Sequence, residues 1–496
     1  MDLFGEHLAA GNALFLLLAL GMALSFEFVN GFHDTANAVA TVIYTHSLRP
    51  WMAVVWSGLW NLFGVLTSTG AVAFGVVALL PVELVLNVGS GAGFAMVFAL
   101  LLSAILWNLG TWYMGLPASS SHTLIGAIMG VGLANSMLSP GHVFGEGVNW
   151  AKAEEVFSSL LVSPVVGFVG SAVLLLLAKL VIRRPELYRP PEPNTPPPLL
   201  VRLLLIGTCT GVSFAHGSND GQKGMGLIML ILVGILPGAF ALNLAASPAT
   251  FHQLTEAAHQ AVASLDRLAG GQTMADNDAS VELSNYLKTT GQFNDRVPAA
   301  LSTVNHGIVS LLEGKPGFAA LPSSERPRLR TDIYLVGETI NKLNKQGHLN
   351  DPALKQQLTG YRSRLKGVTD YIPVWVKVAV ACALGFGTMI GWKRIVVTVG
   401  EKIGKSHLTY GQGASAELVA MGTILVADRF GLPVSTTHVL SSGVAGTMAA
   451  NHSGLQTATL RNIVLAWVLT LPVCVLLGAL TFAAGLYIVF NLFGLK

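Results

Sequence analysis

The chain has 496 residues and a formal net charge of +3, and only 11% of its residues are charged, against roughly 25% in an ordinary soluble protein. Strongly apolar and aromatic residues make up 52% of it. So few charges cannot cover a soluble surface of this size, and so small a net charge excludes nucleic acid as a partner.

In chain order, the N-terminal MDLFGEHLAAG has Asp2 and Glu6 but no positive n-region. Its first apolar segment is therefore expected to be retained as a span. Stretches long enough to cross a bilayer run at about 8–30, 51–80, 93–113, 156–182, 200–215, 223–245, 372–392, 411–427 and 460–492. Two shorter ones, 118–136 and 434–450, are rich in Gly, Ser and Thr. Residues 251–370 carry 25 of the 55 charges, and the helical periodicity of LTEAAHQAVASLDRLAG predicts a soluble helical bundle there. Cys209, Cys382 and Cys474 lie in apolar stretches and make neither a metal pattern nor a disulfide framework.

Polar clusters interrupt the spans at 30–41, 119–123, 215–224 and 435–438. Irregular polar backbone at membrane depth is tolerated only inside protein or beside a cavity, so the four breaks predict one shared internal site. An internal repeat relates them. GLPASSSHTLIGAIMG (115–130) matches GLPVSTTHVLSSGVAG (431–446) at seven of sixteen positions. More weakly, NGFHDTANAV (30–39) aligns with HGSNDGQKGM (216–225) on Asp34 and Asp220. Paired interruptions in two halves point to a transporter site.

The organisation follows: 1–182 is a first transmembrane repeat, 183–202 a basic proline-rich linker and 203–245 the start of a second repeat. The insert is 246–371, and 372–496 completes the second repeat. The fold class is an all-α polytopic membrane protein with two inverted repeats, broken or re-entrant helices and about 10–12 membrane segments. Basic loops at Arg49, Arg183/Arg184/Arg189/Arg202 and Lys393/Arg394/Lys402/Lys405 mark the cytoplasmic side. Both termini and the insert then fall on the periplasmic side.

Two constellations carry chemistry. In the first, Asp34 and Asn37, and likewise Asp220 and Lys223, stand three residues apart on one helical face, with Asn30, His33, His216 and Asn219 nearby. Carboxylates and amide oxygens suit a proton or hard cation, whereas amide N–H and ammonium groups suit an anion. In the second, Ser119, Ser120, Ser121 and His122 follow Pro117, and Ser435, Thr436, Thr437 and His438 follow Pro433. A hydroxyl-rich helix start offers free N–H groups, hydroxyl donors and the positive dipole end, which suit a phosphate-like anion. His122 and His438 are read as orienting the turns. Glu27 and Glu417 stand in apolar runs, where a carboxylate needs a reason, and are read with His33 and Lys223 as coupling or charge-compensating groups. Asp428-Arg429 is read as an ion pair at a helix end. An intramembrane Ser/His enzyme is disfavoured, because a Ser–His spacing of one to three makes poor triad geometry.

GFHDTANAVATVIYT, WNLGTWYMGLPASSSHTLIGAI, SFAHGSNDGQKGMG, GTMIGWKR and GLPVSTTHVLSSGVAGTM closely resemble the PiT family of bacterial low-affinity inorganic phosphate transporters. The resemblance spans nearly the whole chain. It implies phosphate uptake by proton symport in the bacterial inner membrane, alternating access, a homodimer, and divalent metal as a co-substrate in neutral metal–phosphate cargo. It assigns phosphate or coupling-ion binding to Asp34, Asn37, Ser119, Ser120, Ser121, Asn219, Asp220, Ser435, Thr436 and Thr437, with no resident metal or cofactor. Sodium-coupled relatives carry an NDxANA pattern in both halves. Here His33 precedes the first Asp and the second motif reads NDGQKG, which fits protons better than sodium. Another tetrahedral oxyanion, sulfate or arsenate, is the alternative cargo.

Overall fold

The computed structural model describes residues 2–4, 6–34, 36–80, 89–138, 144–145, 148–192, 195–288 and 291–492, without the side chains of Asp34, Ala36, Asn37, Lys152 and Leu492. Among the described residues the regular structure is helical, but for a two-residue antiparallel pairing of Asp2–Leu3 with Glu6–His7 and one bridge between Gly404 and Leu455. Among the described residues, six helices are long and apolar enough to cross a membrane. Two bent pairs raise that to eight: Pro50–Thr67 with Ala71–Val77, turning 77°, and Pro352–Thr369 with Val374–Met389, turning 72°. Helices Tyr410–Arg429 and Thr436–Ala450 accompany them. Leu161, Leu176, Leu476 and Leu480 point outward and exposed, as side chains do when lipid rather than water covers them.

The segment 200–245 departs from the reading of two spans broken at 215–224. Leu199–Ile235 is one continuous helix of 37 residues, followed by the short Pro237–Phe240. The polar run HGSNDGQKG does not interrupt it. No proline falls between Leu199 and Ile235, so every backbone bond can be made within the helix while the polar side chains project into the protein.

The two halves interleave. Pro50–Thr67 packs on Leu199–Ile235, and Val374–Met389 packs on Ala10–Asp34. A methyl added at Gly31 would stand 2.2 Å from the Leu384 carbonyl oxygen, and one at Gly217 2.2 Å from that of Asn61. These two crossings are counterparts, since Gly31 and Gly217 occupy matching positions of the aligned Asp motifs, and only glycine lets the backbones approach so closely. Further on, Ser120–Leu138 packs on Thr457–Tyr487, and Thr436–Ala450 on Trp150–Val181. Each of those long partners carries an internal proline, Pro164 or Pro472.

Helices Pro248–Leu268, Asp276–Leu287, Arg296–Leu312, Arg326–Lys345 and Pro352–Thr369 share a separate core that includes Leu254, Tyr286, Leu301, Leu335 and Tyr361. Within Pro248–Leu268, Phe251, Leu254, Ala258, Ala261 and Leu265 recur at helical spacing and are buried. Asp332 lies in this bundle, and burial pushes its carboxyl up from 3.8 to about 7, with Arg328 opposing and Asp276 adding to the rise. A raised carboxyl favours the protonated form in the fold. Its contribution is full below about pH 4 and is lost as pH rises through about 7. Amide exchange in Arg326–Lys345, corrected for intrinsic rates, is therefore expected to quicken from pH 5 to 7.5 in the full chain, and Asp332→Asn is expected to flatten that trend.

Candidate functional site

Both hydroxyl turns are built the same way. Ser119 Oγ accepts from the His122 backbone N–H at 3.2 Å, and Ser435 Oγ from that of His438 at 3.1 Å. These are N-cap bonds, and they open helices Ser120–Leu138 and Thr436–Ala450. The turns meet directly. Ser121 Oγ donates to the Val434 carbonyl at 2.8 Å. The His122 and His438 rings lie 4.6 Å apart, and His438 stacks on Trp467, whose indole N–H donates to the Pro117 carbonyl at 2.8 Å. The two histidines thus brace the turns by ring packing, with their backbone N–H groups closing the caps.

Helix Leu199–Ile235 passes beside this junction. Lys223 Nζ donates to Asp220 Oδ1 at 2.7 Å and to Ser120 Oγ at 3.4 Å. Thr436 Oγ1 donates to Asp220 Oδ2 at 3.3 Å, and His216 Nε2 lies 3.2 Å from the same oxygen. Asn219 Nδ2 donates to the Leu432 carbonyl at 3.2 Å. Ser119, Ser120, Ser121, Ser435, Thr436, Thr437, Asn219, Asp220 and Lys223 are all at most 5% exposed. The structure thus gathers one hydroxyl from each turn around a single buried carboxylate–ammonium pair. Lys223 does not snorkel to a surface.

Other candidates fall elsewhere. Asp34 ends helix Ala10–Asp34 and Asn37 belongs to Ala36–Tyr44, but their side chains lie outside the described residues. His33 Nε2 is 3.0 Å from Thr111 Oγ1. Glu27 is fully buried and packs on Gly224, next to Lys223, where an added methyl would stand 2.3 Å from its Cγ. Glu417 is separate: it accepts from Thr208 Oγ1 at 2.5 Å. Thr208 precedes Asp220 by twelve residues of one helix, about 18 Å. The Asp428–Arg429 ion pair is not formed. Asp428 instead accepts from Ser218 Oγ at 2.7 Å and Gln222 Nε2 at 2.5 Å.

Sequence reasoning missed Gly224, Gln222 and Asn61. The three glycines of GQKGMG, close to a buried lysine, were the available signal for close packing at Gly224. Nothing local marks Asn61, which reaches His216 from a helix 155 positions earlier.

Arranged this way, hydroxyl donors, a helix start from each half and one ammonium can bind a small oxyanion, while buried carboxylates and an imidazole can hold a proton. Comparison with known proteins agrees with that chemistry. The model of the phosphate transporter family matches residues 30–478. The low-affinity inorganic phosphate transporter PitA of Escherichia coli K12 is 42% identical, over 97% of this chain and 98% of that protein. PitB of the same organism is 42% identical over 96% of both chains. A probable low-affinity inorganic phosphate transporter of Bacillus subtilis is 27% identical over 94% of this chain and 96% of its own length. A solved structure described as the sodium-dependent phosphate transporter has a TM-score of 0.52 at 19% identity, covering 95% of this chain and 98% of that one, a likeness of fold alone.

Proposed function

This chain belongs to the phosphate transporter family, and on that premise we propose that it takes up inorganic phosphate across the bacterial inner membrane by proton symport. The cargo is phosphate, free or as a neutral complex with a divalent metal. Two inverted repeats alternate access around the paired turns, in a homodimer with both termini and the insert on the periplasmic side. Its chemistry is carriage of a solute, and it is not an enzyme.

One observation carries the reading: Ser120 and Thr436, at the two helix starts, meet the Asp220–Lys223 pair in one buried cluster. Phosphate would take the hydroxyls, the helix N-termini and Lys223, in exchange for its hydration. The ammonium of Lys223, beside Asp220, leaves less need for a sodium ion there and favours protons as the coupling species. Asp34 and Asn37 complete the site from the first repeat. His33, Glu27 and Glu417 supply further proton-accepting or charge-compensating groups.

Counterflow of labelled phosphate in proteoliposomes tests this, with sulfate and arsenate as competitors and with separate proton and sodium gradients. Acceleration by the proton gradient alone supports the reading. Stronger counterflow with sulfate would replace phosphate as cargo, and a response to sodium alone would replace the coupling ion.

Ser120→Ala and Thr436→Ala are each expected to raise the half-saturating phosphate concentration about ten- to hundredfold. A hydrogen bond to a charged group is worth roughly 1.5–3 kcal/mol. Saturation curves on equal amounts of folded protein check this, and unchanged values in both variants would remove the turns from the site.

A further inference from the structure

We infer that His216 and Asp220 together hold the transported proton, and that Asn61 and Thr388 orient the imidazole for it. The inference rests on the proton-coupled reading above.

A chain of hydrogen bonds sets the tautomer. The Thr388 hydroxyl donates to the Leu384 carbonyl at 2.9 Å. With its proton engaged there, Thr388 Oγ1 accepts from Asn61 Nδ2 at 3.3 Å. That fixes the amide, so Asn61 Oδ1 is what faces His216 Nδ1 at 2.8 Å. An amide oxygen only accepts, so Nδ1 carries the hydrogen. The other ring nitrogen, Nε2, lies 3.2 Å from Asp220 Oδ2. In a neutral imidazole a bare lone pair would face a carboxylate oxygen, which is repulsive. One more proton turns the contact into a hydrogen bond, charge-assisted when Nε2 carries it and neutral when the carboxyl does. Asn61, His216, Asp220 and Thr388 are all at most 2% exposed, so bulk water does not relieve the repulsion.

The charged surroundings make the proton matter to the anion. Lys223 is on the same helix, 2.7 Å from Asp220 Oδ1. Glu27 faces it from Ala10–Asp34 across Gly224, and His122 and His438 come from the turns. Asp428 is engaged by Ser218 and Gln222. Helix Pro50–Thr67 brings no titratable residue, and Val374–Met389 carries Cys382 and Lys377, which donates to the Ser68 carbonyl. The Asp34 side chain lies outside the described residues. With the proton aboard, imidazolium and ammonium against one carboxylate leave the trio His216, Lys223 and Asp220 one positive charge; without it they balance. Proton and anion therefore strengthen each other's binding at neighbouring atoms, which is the reciprocity symport requires.

The test uses the full chain in proteoliposomes. A one-unit inward proton gradient supports about tenfold accumulation in one-proton symport. His216→Gln is expected to weaken phosphate exchange at equal pH, since proton and anion bind together, and its gradient response is expected to fall from about tenfold toward none. Thr388→Val leaves every group at the turns in place and is expected to keep exchange while shifting the pH of half-maximal uptake. It decides the matter if His216→Gln does not fold. A folded His216→Gln with the full gradient response overturns the inference and leaves proton coupling standing, as does an unchanged pH profile in Thr388→Val. Wild-type exchange indifferent to the gradient overturns both. Absence of phosphate exchange in the wild type overturns the transport reading itself.

Discussion

Asp220→Asn is expected to reduce phosphate uptake to about one-hundredth of wild type or less, with the protein still inserted in the membrane. Asparagine keeps the shape of the side chain and removes its charge. Asp220 is fully buried, with Lys223 Nζ at 2.7 Å, Thr436 Oγ1 at 3.3 Å and His216 Nε2 at 3.2 Å. Removing one partner from such a pair strands the other charge, a cost of roughly 3–5 kcal/mol, or about two to nearly four orders of magnitude in a binding constant. The loss falls where anion and proton meet, so it should appear as lost uptake rather than lost expression. Uptake normalised to reconstituted protein checks it, and near wild-type rates would exclude Asp220 from the central site. Asp34→Asn is expected to behave alike, because Asp34 holds the matching position of the repeat.

Lys223→Gln is the second large effect. Lys223 is 1% exposed and lies between Asp220 and Ser120. Its loss leaves Asp220 beside the buried Glu27 without the ammonium that balances them, so weak phosphate affinity and weakened folding are expected together, again roughly 3–5 kcal/mol. Combining it with Asp220→Asn separates the two consequences. The double variant removes the Asp220–Lys223 pair as a unit, leaving only Glu27 without its ammonium, and is expected to recover part of the lost thermal stability while uptake stays absent. A single Lys223→Gln variant with full proton-driven uptake and unchanged pH dependence would remove the lysine from coupling. Uptake measured across separate pH and sodium gradients, alongside thermal unfolding of the same preparations, gives all of these outcomes.

The amino-acid sequence by itself determined what depends on composition and on neighbours along the chain. Scarce charge outside residues 251–370 demands lipid. A proline followed by hydroxyls demands a capped helix start, and the caps at Ser119 and Ser435 form as that local chemistry dictates. The repeat of GLPxS and of the two Asp motifs carried family and cargo for the same reason, since both are read residue against residue. Only the tertiary structure decided which of these groups share a space. HGSNDGQKG looks like a break, yet it stays helical because a helix satisfies its own backbone and can lend its polar side chains to neighbours. Asp428 turns to Ser218 and Gln222 rather than to Arg429, and Glu417 to Thr208, well away from Asp220. The decisive contacts join Lys223 to Ser120 and Asp220 to Thr436, 103 and 216 positions apart. The first joins the two repeats, whose helices pack through glycine-lined crossings, and the second closes across the insert within one repeat; no spacing along the chain encodes which helix face will meet which.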